Sequence, residues 1–221
     1  MNKLSNFLSG TKILETTHSK YNGSIQVVRD FAWGTYIVAN NLTQSGGILN
    51  TIWKPTLSKI KNEKLKITNC LILGLGGGSV AKIVNKNWPD AKITGVDIDE
   101  KMVQLGVMHL ALDTSRVKII IQDASDYCLA TSDLFDLVLV DLYCGDKFPE
   151  KFEEDKFLKN IKKILKYGSA AGGTDGVVIF NRLFGEKDKD KSLKFGAKLE
   201  KYFKKVDYMY PMANVMFVCY N

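Results

Sequence analysis

Apolar and polar residues alternate in two short runs near the N-terminus, Ile25-Gln26-Val27-Val28-Arg29 and Thr35-Tyr36-Ile37-Val38-Ala39, separated by Asp30-Phe31-Ala32-Trp33-Gly34. Period-two alternation, β-branched residues and a glycine-containing turn predict a β-hairpin within a strand-like stretch from Thr11 to Thr43. After Gly46-Gly47 the pattern changes. Ile48 to Lys61 reads as a helix interrupted at Pro55, since proline removes a helical N–H and crowds the preceding turn. Then Asn69-Cys70-Leu71-Ile72-Leu73-Gly74 is an apolar run suited to a strand buried on both faces. Further strands are expected at Ala91–Asp97, Val117–Ile121, Phe135–Asp141 and Gly176–Asn181. Between them fall helices at Ser79–Asn87, Glu100–Leu112, Asp126–Thr131 and Glu154–Leu165. A last helix over Ser192–Phe203 leads to a closing hairpin of Val206–Tyr210 and Asn214–Tyr220, while Gly168–Gly176 and Gly185–Lys191 read as loops. Strands that alternate with helices predict an α/β fold with a doubly wound, mostly parallel sheet. The change near residue 50 divides the chain into a small β-hairpin domain, 1–50, and a Rossmann-like domain, 51–221.

Length and composition agree with this picture without sharpening it. A chain of 221 residues, 45% hydrophobic and 25% charged, can bury a core and is neither fibrous nor broadly disordered. No apolar run approaches the roughly 20 residues that span a bilayer, and Met1–Gly10 has no compact apolar segment of the kind a leader needs. The expectation is a cytoplasmic protein with no membrane contact. Thirty-one Lys and Arg against 24 Asp and Glu give a formal charge of +7. The lysines recur over 59–66, 156–166 and 187–205 without interleaved aromatics, which reads as solvated helix faces rather than a nucleic-acid platform. Cys70, Cys128, Cys144 and Cys219 form no C-x-x-C and are joined only by His18 and His109, so neither a disulfide framework nor a metal site is expected. His109, among Met102, Leu105, Leu110 and Leu112, reads as a partly buried helix residue.

In a doubly wound sheet, ligands bind at the carboxyl ends of the strands, and those positions here are small or acidic. The first strand is followed by Gly74-Leu75-Gly76-Gly77-Gly78, where missing side chains let a ligand approach the backbone and a helix N-terminus offers free N–H groups. Asp97 ends the second strand, about 20 residues on, where an acid accepts hydrogen bonds from ribose hydroxyls. The third strand is followed by Asp123-Ala124, an acid suited to an exocyclic adenine amine and a small residue beside the ring. Asp141 follows the fourth. Together these indicate an adenine nucleoside. The strict dinucleotide fingerprint fails, because Ser79 stands where its third glycine would be.

The order Tyr21-Asn22, Leu42-Thr43-Gln44, Gly74 to Gly78, Val96-Asp97-Ile98-Asp99, Asp123-Ala124 and Val140-Asp141 resembles the polyamine aminopropyltransferases, the spermidine synthase family. That family shares the class I S-adenosylmethionine-dependent methyltransferase fold, preceded by a small β domain. The resemblance implies a transferase that uses S-adenosylmethionine or its decarboxylated form as co-substrate, needs no metal, moves an aminopropyl group to a small-molecule amine, and forms a homodimer. It implies that Gly74, Gly76, Gly77 and Gly78 hold the tail of the nucleoside, Asp97 the ribose and Asp123 with Ala124 the adenine. Asp141 would be the acid that helps deprotonate the attacking amine, with Gln44 and Tyr143 lining the acceptor cleft. Phe31 and Trp33 at the hairpin turn would pack between subunits or cover the hairpin.

The departures bear on the acceptor. The family's glycine loop carries an acid before its last glycine, where this chain has Gly77. The D-S-S-D-P that follows the fourth strand is replaced by Asp141-Leu142-Tyr143-Cys144-Gly145, so Cys144 stands in the place of a second acid, with Asp146 as a substitute for it. Trp53-Lys54-Pro55 replaces a polyamine-holding triplet, and a lysine there would repel a polycation. Cys144 reads as an incidental loop thiol, because the transfer needs no covalent intermediate. Two alternatives follow: an S-adenosylmethionine-dependent methyltransferase acting on another nucleophile, and a non-catalytic nucleoside-binding relative.

Overall fold

The computed structural model describes residues 10–63, 65–145, 147–168 and 175–221. The N-terminal readings over residues 1–9, the central part of the 168–176 loop and Asp146 lie outside the described residues.

Four antiparallel strands come first, β1 (Lys12–Ser19), β2 (Gly23–Asp30), β3 (Gly34–Ala39) and β4 (Leu42–Gly46), and they pair in chain order. The expected hairpin is β2–β3, in register from Ile25 opposite Ala39 to Asp30 opposite Gly34. Asp30 closes its turn by accepting from the Trp33 N–H. Phe31, 95% exposed at that turn, covers nothing on the hairpin. The inner face, Ile25, Val27, Ile37 and Ala39, packs on Met102, Leu105 and Leu110.

Helix α1 (Leu49–Asn62) then leads into the larger sheet, whose strands are β5 (Asn69–Leu73), β6 (Lys92–Asp97), β7 (Val117–Ile121), β8 (Leu137–Val140), β9 (Val177–Leu183), β10 (Lys205–Met209) and β11 (Asn214–Tyr220). Their order is β10-β11-β9-β8-β5-β6-β7, with β5 to β9 parallel and β10 and β11 antiparallel. The chain starts at β5, moves out to β6 and β7, and returns to β8 and β9 on the other side. The order therefore reverses between β5 and β8, where a doubly wound sheet opens its ligand crevice.

Alternation along the strands feeds two cores. Leu71 and Leu73 of β5, with Val138 and Val140 of β8, face Tyr127 of α4 (Ala124–Ala130), Phe157 and Leu158 of α5 (Asp155–Ile164) and Phe195 of α6 (Lys189–Leu199). Cys70 and Ile72, with Leu137 and Leu139, face Trp53 and Leu57 of α1 and Val80 and Val84 of α2 (Ser79–Asn87). Helix α3 (Glu100–His109) receives the four-stranded sheet. Cys70, Cys128 and Cys219 are buried free thiols.

The differences from the sequence reading have local causes. Helix α1 runs unbroken through Pro55. Pro55 and Thr51, whose carbonyl lies one turn before it, are both exposed, so the unmatched carbonyl faces water. Helix α3 ends at His109 rather than Leu112, because Ala111 takes a left-handed conformation at φ 50°. Helix α4 begins at Ala124 because the Asp123 carboxylate caps it by accepting from the Ser125 N–H. Helix α6 begins inside the expected loop, at Lys189, and ends at Leu199, short of Phe203. His109 is part-buried as expected, and its Nε2 lies 2.6 Å from Glu15 of β1. Several lysines are paired on the surface, Lys59 with Asp207, Lys166 with Asp136 and Lys198 with Asp155. Among the described residues, no helix is long and apolar enough to cross a membrane.

Candidate functional site

A cavity of about 580 Å³ opens at the carboxyl ends of the strands, roofed by β4 and the start of α1. Of the residues expected to form the site, Gly74, Gly76, Asp97, Asp123, Ala124, Asp141, Gln44 and Tyr143 all line it. They come from segments as distant as β4 and the loop after β8.

Gly74 stands at the crossing of β5 and β8 with φ 87°, and a Cβ there would lie 2.1 Å from the Asp141 carbonyl oxygen. Only glycine lets the two strand ends meet this closely. The next glycine of the loop, Gly76, donates its N–H to Asp97 at 2.7 Å. Gly77 and Gly78 are not among the residues that line the cavity. A Cβ on Gly77 would meet Leu110 at 2.7 Å and Ser45 Oγ at 2.9 Å, and one on Gly78 would meet Leu112 at 2.4 Å. These two glycines fit the loop under the four-stranded sheet. Ser79, in the place of a third fingerprint glycine, uses its side chain. Its hydroxyl accepts from the Gly46 N–H at 2.6 Å and lies 3.0 Å from that of Ser45, which accepts from the Gly77 N–H. The two serines therefore fasten β4 to the glycine loop.

The Asp97 carboxylate accepts from the N–H groups of Gly76 and Asp99. Burial pushes its carboxyl up to about 6, against the opposing pull of those N–H groups. Asp99 caps α3 and accepts from Asn22 Nδ2 at 2.8 Å and from the Ser19 hydroxyl, so the β1–β2 turn is anchored beside Asp97 at one end of the crevice. Asn22 in turn accepts from the Gly145 N–H, and Gln44 donates to the Gly145 carbonyl at 2.9 Å. Asn22 and Gln44 thus tie the small sheet to the loop after β8.

Asp123 is paired with Lys151, carried on a short 3-10 helix, Glu150–Glu153. Burial alone would raise the Asp123 carboxyl, but the Lys151 ammonium and the Ser125 N–H outweigh it and hold it below its ordinary value. Asp141 accepts from the Trp53 indole N–H on one oxygen and from Asn181 Nδ2 on the other, both at 2.8 Å. Asn181 itself accepts from Asn214 Nδ2 at 2.8 Å. Burial raises the Asp141 carboxyl, and the two donors offset this only in part. The Tyr143 hydroxyl accepts from the Leu183 N–H at 2.7 Å, which fixes its ring as a wall of the cavity. Cys144 is half-buried with its thiol pushed up by burial, the wrong direction for a nucleophile.

Lys54 lies on the exposed side of α1, away from the cavity, so the expected repulsion of a cation there does not arise. Trp53 is fully buried behind Asp141. Lys151, Asn181 and Asn214 line the cavity without having been singled out from the sequence. A polar residue near a strand end was the available signal for the two asparagines, and nothing in the local pattern marks Lys151. Among the described residues, no group of three or more His, Cys, Asp or Glu is placed to hold a metal ion.

Comparison with known proteins bears on this geometry. A family model described as a methyltransferase domain matches residues 70–168. A probable spermidine synthase from Corynebacterium glutamicum superposes with a TM-score of 0.78 at 18% identity, over 95% of this chain and 80% of that one. The chain has a spermidine synthase-like class I methyltransferase fold. Within this fold, the polyamine aminopropyltransferase of Neisseria meningitidis serogroup A is 26% identical over 117 residues, 52% of this chain and 42% of that enzyme. The eEF1A lysine and N-terminal methyltransferase of Mus musculus is 28% identical over 139 residues, 57% of this chain and 19% of that protein. The chain thus spans less than half the length of these curated relatives.

Proposed function

We propose that the protein is a transferase that binds an S-adenosylmethionine-type nucleoside and moves a carbon group from its sulfonium to an amine. The observation that carries this reading is the convergence of Asp97, Asp123 with Ala124, the Gly74–Gly76 backbone and Asp141 on one cavity at the reversal of strand order. The residues fit the nucleoside. Asp97 stands ready for ribose hydroxyls, Asp123 for the adenine amine with Ala124 beside the ring, and the side-chain-free edge of Gly74 and Gly76 for the tail.

Asp141 is the base in this account. Its raised carboxyl lies closer to neutrality than an ordinary aspartate's, which suits proton exchange with an ammonium. The ammonium gives one proton to Asp141, and the freed lone pair forms the N–C bond as the C–S bond breaks. Sulfur keeps that electron pair and becomes a neutral thioether, while the positive charge passes to the product nitrogen. Trp53 and Asn181 hold the carboxylate in one orientation, and in-line approach contributes the rest.

Two transfers are compatible with this base. Aminopropyl transfer is supported by the spermidine synthase-like fold and the curated aminopropyltransferase relatives. Methyl transfer is supported by Gly77, which stands where the family's loop carries an acid for a donor amine and where a side chain would have to displace those of Leu110 and Ser45. The products separate them: aminopropyl transfer leaves methylthioadenosine, and methyl transfer leaves S-adenosylhomocysteine. Incubation with each donor and a panel of amines, read by mass spectrometry, tests the proposal. Product from neither donor, in a protein that binds methylthioadenosine, would favour the non-catalytic relative. A homodimer and a cytoplasmic location belong to the same proposal, the dimer to be checked by sedimentation.

A further inference from the structure

Sheet order divides the cavity. Asp97 of β6 and Asp123 after β7 lie on one side of the Gly74 crossing, and β8, β9 and β11 lie on the other. The second side carries a wall that the nucleoside reading leaves unused. Ile48, Leu49 and Ile52 reach it from the start of α1, Leu183 from the end of β9 and Met212 from the turn before β11. Its polar groups are Asp141 and the amides of Asn181 and Asn214, already joined to one another, and the Tyr143 hydroxyl, which accepts from the Leu183 N–H. Among the described residues that line this side, Asp141 is the carboxylate.

We infer that the acceptor of this site is an amine with a single ammonium group on an apolar body, rather than a chain bearing several charges. This rests on the proposed function for the assignment of Asp141 to the reacting nitrogen. One ammonium meets one carboxylate held by two neutral donors, so the pair is satisfied with no charge left over. A second ammonium further along the chain would lie against Leu183, Ile52 or Met212, with no anionic partner among the described residues that line this side, and a desolvated charge of that kind is costly. Methylenes placed there bury apolar surface instead, at roughly fourfold in affinity for each one. Asn181 donates to Asp141 and accepts from Asn214, and neither amide carries a charge to compensate a polycation.

The test is calorimetric titration of the intact protein with hexylamine and with 1,4-diaminobutane, each with and without saturating methylthioadenosine. The expected result is hexylamine binding at least tenfold more tightly than the diamine. A Leu183→Glu variant, which sets a second carboxylate two residues along the strand from Asn181, should narrow or reverse that preference. Tighter binding of the diamine to the unaltered protein, or no binding of either amine, would overturn the inference. Methylthioadenosine failing to bind while the hexylamine preference persists would remove the nucleoside reading and leave this one standing.

Discussion

The two sides of the cavity are built by different rules. On the side proposed for the nucleoside, each group stands at or within two residues of a strand end, Gly74 after β5 and Asp123 after β7, with Asp97 closing β6, so position in the fold and chemistry coincide. On the side proposed for the acceptor, the wall comes from one helix, a strand end and a turn, and its chemistry among the described residues is apolar and amide around one carboxylate. The first arrangement is dictated by the topology of a doubly wound sheet. The second depends on residues that each have another structural duty, as Trp53 does in filling a core while donating to Asp141. A fold can therefore keep its nucleoside side while the acceptor side diverges.

The comparison breaks most sharply at Asp141. Asp141→Asn should lower transfer by about 10² to 10⁴, the usual worth of a positioned base, and leave methylthioadenosine affinity unchanged by calorimetry. An equal loss of both would mean that the two sides are not separable. Asp97→Ala should do the reverse, weakening nucleoside binding by about 1–3 kcal/mol through unpaired donors, in a protein whose circular dichroism shows it folded. Full affinity in that variant would take Asp97 out of the site.

A pH series sharpens the same point. Asp97 accepts most strongly from ribose hydroxyls when ionised, and its carboxyl in the free protein is pushed up to about 6. Methylthioadenosine affinity should hold above that value and fall as the pH drops through it, by about tenfold per unit at the steepest. In the free protein the linkage runs the other way: the folded state holds a proton that the unfolded chain has released, so this group's contribution to stability is lost as pH rises from about 4 to about 6. Affinity that stays flat through pH 6 would place the ribose away from Asp97. The smallest effect is expected at Lys151→Ala. Its pair with Asp123 is half-exposed, and urea titration should show a change under about 1 kcal/mol.

The strands and helices were legible because their periods are strong. Ser79–Asn87 and Val117–Ile121 fall where the pattern puts them. The ends were less so, since Asp123 capping α4 and the left-handed Ala111 closing α3 act through single residues. The strand-end rule picked out Gly74, Asp97 and Asp123, which line the cavity, together with Gly77 and Gly78, whose missing side chains leave room for Leu110 and Leu112. On the acceptor side Ile48, Leu49 and Ile52 carry the same helical pattern as the core-facing Leu57 and Ile60, and nothing local tells cavity from core. Asn181 and Asn214 meet only when β9 and β11 pair, which no local pattern encodes. Lys54 was misplaced because the side of α1 it occupies depends on how the helix docks.

The most direct measurement is titration of the purified protein with methylthioadenosine, S-adenosylmethionine, decarboxylated S-adenosylmethionine and NAD side by side. The account predicts saturable binding of methylthioadenosine and at least one sulfonium donor, abolished or weakened by Asp97→Ala, and no comparable binding of NAD. Binding of NAD alone, or of none of the four to a folded protein, would contradict it.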